Sequence, residues 1–159
     1  MKKILLIGLL FSLSIFLTGC FGGKDKVKEK VDLVKVEAEF NEILLSQQEK
    51  AAVVGKLADE GKVDETMAAV EGLREDLRRA LELNQIMIDA FGGEKKEAFI
   101  LRAQLLEDSI SLYDKLEECL GLMDNQQAFT ACQQELQTMS QELQTLGAEV
   151  KTKLDAVTK

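Results

Sequence analysis

The 159-residue chain contains no proline, no histidine and no tryptophan. The missing proline argues against a loop-rich or all-β fold, where turns and edge strands recruit it. The missing histidine removes Ser–His and Cys–His nucleophilic pairs, imidazole metal ligands and the commonest neutral-pH acid–base group. Carboxylate di-iron bundles, which need Glu-x-x-His, go with it. Glycine pairs stand at Gly22-Gly23 and Gly92-Gly93, but neither carries the Lys and Ser/Thr of a phosphate loop. Tyr113 is the single tyrosine, at a position that reads as core. No catalytic residue, cofactor or metal ligand is expected, and the chain reads as non-enzymatic.

What remains is 46% hydrophobic and 30% charged, with 28 acids against 20 bases. The length suits one domain. An acidic surface disfavours nucleic acid, which needs clustered Lys and Arg facing phosphates, and it disfavours lying flat on anionic lipid.

The chain starts Met1-Lys2-Lys3 and then runs apolar from Ile4 to Leu17, interrupted only by Gly and Ser. A short basic start before such a stretch is the layout of a secretory signal peptide, here residues 1–19. The stretch falls short of the roughly 20 apolar residues needed to span a bilayer as a helix. It closes on Leu17-Thr18-Gly19-Cys20, which resembles the lipobox of bacterial lipoproteins. The resemblance implies cleavage before Cys20 and a diacylglyceryl group on its sulfur, so that Cys20 is the lipidation site. A thiolate is the nucleophile such a transfer needs, and two acyl chains anchor durably where one does not. Phe21 follows, not the Asp that retains lipoproteins at the inner membrane. In a two-membrane bacterium this implies the periplasmic face of the outer membrane. In a single-membrane one it implies the outer face of the cell.

Cleavage would leave 18 bases and 28 acids. Residues 20–30 form the lipidated start and a charged tether, with a base-rich run from Lys24 to Lys30 that reads as solvated. With Cys20 committed to lipid, Cys119 and Cys132 remain as an even pair in a compartment that permits disulfides. Two thiols without His cannot complete a tetrahedral metal site, and their spacing is far from Cys-x-x-Cys. A structural disulfide between Cys119 and Cys132 is expected.

Residues 31–159 show sustained 3–4 spacing of apolar positions and no strand-like alternation. Breaks at Glu60-Gly61-Lys62, Gly92-Gly93 and Met123-Asp124-Asn125 divide them into helices at about 25–60, 64–91, 94–123 and 125–158, with Asp64 and Asp124 as N-caps. If the first two helices form an antiparallel hairpin, the seam pairs Phe40/Asn84, Gln47/Leu77 and Leu57/Met67 all sum to 124. In the second pair, Leu116/Leu136 and Leu106/Leu146 sum to 252 and Cys119/Cys132 to 251. That register turns the cysteines toward each other. The expected fold is all-α: an antiparallel up-down-up-down four-helix bundle, or two long coiled-coil-like hairpins that complete their core as a homodimer.

Three features interrupt the pattern. Gln47 and Asn84 sit in seams, where polar residues fix register or form local satisfied contacts. Gly72 lies inside the second helix at a cost of about 1 kcal/mol relative to Ala, which suggests a close helix approach or a bend; Gly121 and Gly147 admit the same reading. The fourth helix carries Gln126, Gln127, Gln133, Gln134, Gln137, Gln141 and Gln144, an uncharged face that reads as solvated.

Phe40-Asn41-Glu42 and Gln47-Gln48-Glu49, in a helical lipoprotein, are similar to stretches of the helical cell-wall-binding lipoproteins of Gram-positive bacteria. Lys159 ends the chain as Lys ends the major murein lipoprotein, but Val157-Thr158 replace the aromatic–basic pair of that family and the likeness is not carried over. The expected function is that of a lipid-anchored envelope protein binding another protein or a cell-wall component. Pilotin-like or chaperone-like assembly, and surface exclusion or inhibition, are the alternatives.

Overall fold

The structure is a computed structural model and describes residues 32–157. The signal segment, Cys20, the tether and Lys159 lie outside the described residues. Four helices follow in order: α1 Leu33–Asp59, α2 Val63–Ala90, α3 Gly93–Gly121 and α4 Gln126–Val157. No strand occurs among the described residues. The fold is an all-α four-helix bundle with antiparallel neighbours. The extended interfaces are α1–α2, α2–α3 and α3–α4. The two hairpins are thus joined along α2 and α3 and do not splay.

Each turn has a physical cause. α1 ends in a Schellman motif: the Lys62 N–H donates to the Leu57 carbonyl at 3.0 Å and the Gly61 N–H to the Ala58 carbonyl at 3.1 Å. The motif requires a left-handed residue after the cap, and Gly61 supplies it at φ +73° without the steric cost a Cβ would carry. Gly93, the first residue of α3, is also left-handed at φ +58°, a conformation that favours glycine. The third turn closes with Asn125, whose Oδ1 accepts from the Ala128 N–H at 3.2 Å.

Two expected N-caps are therefore corrected. Asn125, not Asp124, caps α4. The residue before α2 is Lys62, which offers no side-chain cap, and Asp64 stands with Glu65 in the first turn, where carboxylates complement the positive helix end. The described first helix begins after Asp32; its expected start near residue 25 lies outside the described residues. The third ends at Gly121, two residues early.

Buried positions fall where the spacing places them, with shifts at the stripe edges. On α1 the buried seam is Val36, Phe40, Leu44, Gln47, Ala51 and Val54, spaced by three or four residues as on one face of a helix. Leu44 and Ala51 take the interior that Ile43 and Leu57 only border. On α3, Ala98, Arg102 and Ser109 are buried, while Leu101, Ala103 and Ile110 line the edge. Met123, at the expected break, is 44% exposed in the turn between α3 and α4. Buried hydroxyls satisfy themselves on their own helix: Thr66 donates to the Lys62 carbonyl at 2.7 Å and Ser109 to the Leu105 carbonyl at 2.6 Å.

A Cβ at Gly72 or Gly121 would meet nothing within 4 Å. The expected close approach at these glycines is absent, and neighbouring helices do not use the space. Gly147, in contrast, is buried in the α4 seam.

Candidate functional site

The expected cysteine pair is joined. Cys119, at the end of α3, and Cys132, in the second turn of α4, form a disulfide with Cα atoms 5.6 Å apart. Both residues are buried, so the bond sits inside the hairpin it closes. Lys115, one turn before Cys119, contacts Glu118 at 2.9 Å and Glu135 of α4 at 2.5 Å. These carboxylates raise the lysine's pKa, the Glu135 hydrogen bond most.

The polar seam residues are satisfied locally, each by a neighbouring helix. Gln47 Nε2 donates to the Leu73 carbonyl at 2.9 Å, pinning α1 to α2. Asp76 next to it accepts from Lys50 at 2.5 Å and from the Ser46 hydroxyl at 3.4 Å. Asn84 Nδ2 donates to the Phe99 carbonyl at 2.8 Å, pinning α2 to α3.

Asn84 also belongs to a cluster that sequence spacing missed. Its Oδ1 accepts from Arg102 Nε at 2.5 Å. Arg102 is 5% exposed, and its guanidinium lies 3.9 Å from the Phe40 ring centroid and 4.7 Å from that of Phe99. Burial pushes the guanidinium down to about 9, with the Glu37 carboxylate opposing. The group stays charged at neutral pH. Phe91 stacks on Phe99 with centroids 5.5 Å apart, extending the aromatic wall. The cluster therefore ties together α1 (Glu37, Phe40), α2 (Asn84) and α3 (Phe99, Arg102). The signal available in the sequence was Arg102 itself, a charge spaced three and four residues from Phe99 and Leu106.

A second basic hub is more open. Arg74 reaches Asp114 at 2.5 Å and Glu117 at 2.8 Å across the α2–α3 interface and pairs with Glu71 on its own helix. The hydrogen bond it donates to Asp114 is the main cause of its raised pKa. Glu71, which also meets Arg78 at 3.1 Å, is held below the usual carboxylate value, chiefly by Arg74. Tyr113 is buried in the core, where desolvation pushes its phenol up.

Among the described residues no group of three or more His, Cys, Asp or Glu side chains could hold a metal ion, and no helix is long and apolar enough to cross a membrane. The glutamine face of α4 is mostly exposed. Along its outer side Thr130, Thr138, Thr145 and Thr152 return their hydroxyls to the carbonyls four residues before them.

No known protein family, no curated protein and no solved structure matches this chain.

Proposed function

We propose that the chain is a lipid-anchored, non-enzymatic protein of the bacterial cell envelope, held by acyl chains on Cys20, with a helical body that binds another protein or a cell-wall component. The observation that carries this reading is Leu17-Thr18-Gly19-Cys20 closing a basic start and an apolar run of signal-peptide length. The buried Cys119–Cys132 disulfide supports an extracytoplasmic location, since such bonds persist in oxidising compartments. The polar and ionic clusters link one helix to the next, as structural groups do, which supports a binding body over a catalytic one.

Radiolabelled palmitate fed to cells producing the full chain tests the anchor. Label is expected in the wild type and absent from Cys20→Ser; a wild-type chain that takes up no label refutes it. Crosslinking in intact cells with wild type and Cys20→Ser then addresses the binding role. The same envelope species captured by both would place recognition in the helical body, whereas no captured species in either would refute a binding role.

A further inference from the structure

In a closed bundle each helix needs two neighbouring seams, one per partner, about 100° apart at one residue's turn. α1 carries two. Its buried seam faces α2; the second, one residue further round for most of its length, runs Val34, Ala38, Asn41, Leu45, Gln48 and Ala52. Its spacing of four, three, four, three and four residues is that of a coiled-coil seam, and it holds no charge. Yet the only extended interface of α1 among the described residues is with α2. Val34 is 77% exposed and Leu45 56% exposed. The outward faces of α2 and α3 differ, with exposed Glu75, Arg79, Glu82 and Asp89, then Glu97, Glu107, Asp114 and Glu118.

We propose that this second α1 seam docks a second copy of the chain, antiparallel, about a two-fold axis near Ile43. The axis sets Val34 against Ala52, Ala38 against Gln48 and Asn41 against Leu45, so each pair has at least one apolar residue and no charge enters the seam. Charge decides both partner and direction. A chain with 28 acids and 20 bases repels its own copy at most faces, but not along an uncharged stripe. The solvent edge of the stripe reads Lys35, Glu42, Glu49 at seven-residue intervals. Antiparallel pairing brings each Lys35 to Glu49 of the second copy, two attractions against one Glu42–Glu42 repulsion at the axis. Parallel pairing would place the two copies of this edge on opposite sides of the seam, where Lys35 gains no contact with Glu49. The seam is about 27 Å long at 1.5 Å per residue and roughly 10 Å wide. That is well under the ~800 Å² per partner of a standard interface, so the pairing is of the weak, concentration-dependent class.

The test uses the full chain in intact cells, with a photoreactive amino acid introduced at Gln48 and, as control, at Thr138 on the outer face of α4. Irradiation is expected to give a species of twice the monomer mass observed in the same cells from position 48 and not from 138. Leu45→Glu, at an exposed site that leaves the helical signal unchanged, abolishes it. Lys35→Glu lowers the yield by roughly fivefold, as two exposed ion pairs turned repulsive predict, and Lys35→Glu/Glu49→Lys restores it. Dimer yield indifferent to the charge reversal, a dimer from position 138 alone, or capture at position 48 of a different protein in place of the second copy would each overturn the assignment. None of these readouts depends on Cys20 carrying lipid.

Discussion

Replacing Arg102 with methionine removes a deeply buried charge, and the contacts around that charge set the cost. Methionine fills much of the volume of the arginine stem and carries no donor. Asn84 Oδ1 then loses the Arg102 Nε bond, and stranding a buried acceptor costs about 1–3 kcal/mol. The guanidinium also leaves the Phe40 and Phe99 rings, each such contact being worth on the order of 1 kcal/mol or more when desolvated. Glu37 keeps its charge without the cation it faces. Against these losses stands the relief of desolvating an ion. Removing one partner of a buried pair generally costs about 3–5 kcal/mol; the lower end, ~3 kcal/mol, fits a site that methionine can partly fill. Urea unfolding followed by far-ultraviolet circular dichroism reads the loss directly, and the thermal midpoint should fall by roughly 10 °C. The triple change Glu37→Gln/Asn84→Leu/Arg102→Met removes every stranded group and should recover most of the stability. Arg102→Met within about 0.5 kcal/mol of wild type would show that the cluster is a passenger, and the reasoning would fail.

Gly72→Ala should stabilise the protein by about 1 kcal/mol, because α2 gains a helix former and the new methyl meets nothing within 4 Å; an unchanged or lower urea midpoint contradicts that. Gly61→Ala has equally open surroundings but forces a side chain to φ +73°, so the same measurement should show a loss of about 1 kcal/mol. Glu71 is held below its unfolded value by Arg74 and then Arg78. Its contribution is present above that unfolded value and is lost as pH falls through the folded one. Glu71→Gln should therefore flatten the acid side of the melting-temperature profile while leaving the neutral-to-alkaline side parallel to wild type. Cys119→Ser/Cys132→Ser should cost about 3 kcal/mol on the chain-entropy account of a loop this short, and wild type in reductant should unfold like the double variant.

The helices, their order and the pairing of Cys119 with Cys132 were legible because apolar spacing and glycine breaks report backbone geometry directly. Gln47 and Asn84 were visible as seam residues, although their partners were not: an amide's hydrogen bond to the Leu73 or Phe99 carbonyl depends on helix rotation that spacing leaves undetermined. Arg102 was hidden for a different reason. Apolar patterning places charge outside and favours Leu101 over the arginine beside it for the interior, whereas the helix is rotated so that Arg102 is the more buried of the two. Asp124 was preferred to Asn125 as a cap because both side chains suit the position and only the helix start separates them. Gly72 misled because a glycine in a helix has the same appearance whether it admits a neighbour or merely weakens the turn.

These fastenings also divide the bundle along its axis. α1 is 27 residues long, about 40 Å, and runs from the end where the described chain begins to the far turn at Gly61. α2 returns, and α3 starts beside the entry point, so the Phe40–Asn84–Phe99–Arg102 cluster lies toward the entry end. The Cys119–Cys132 bond lies at the far end with the turn between α3 and α4. A disulfide restrains most strongly the segments it joins. Its reduction should therefore raise amide exchange first in the last turns of α3 and the first turns of α4, with Lys115 and Glu135 between them. Arg102→Met should instead raise exchange at the start of α3 and in the parts of α1 and α2 that face it. The two patterns overlap only if the bundle opens as one cooperative unit, in which case each change would lower protection everywhere by the same free energy as it lowers global stability. Exchange measured on both proteins distinguishes two separately fastened ends from a single block.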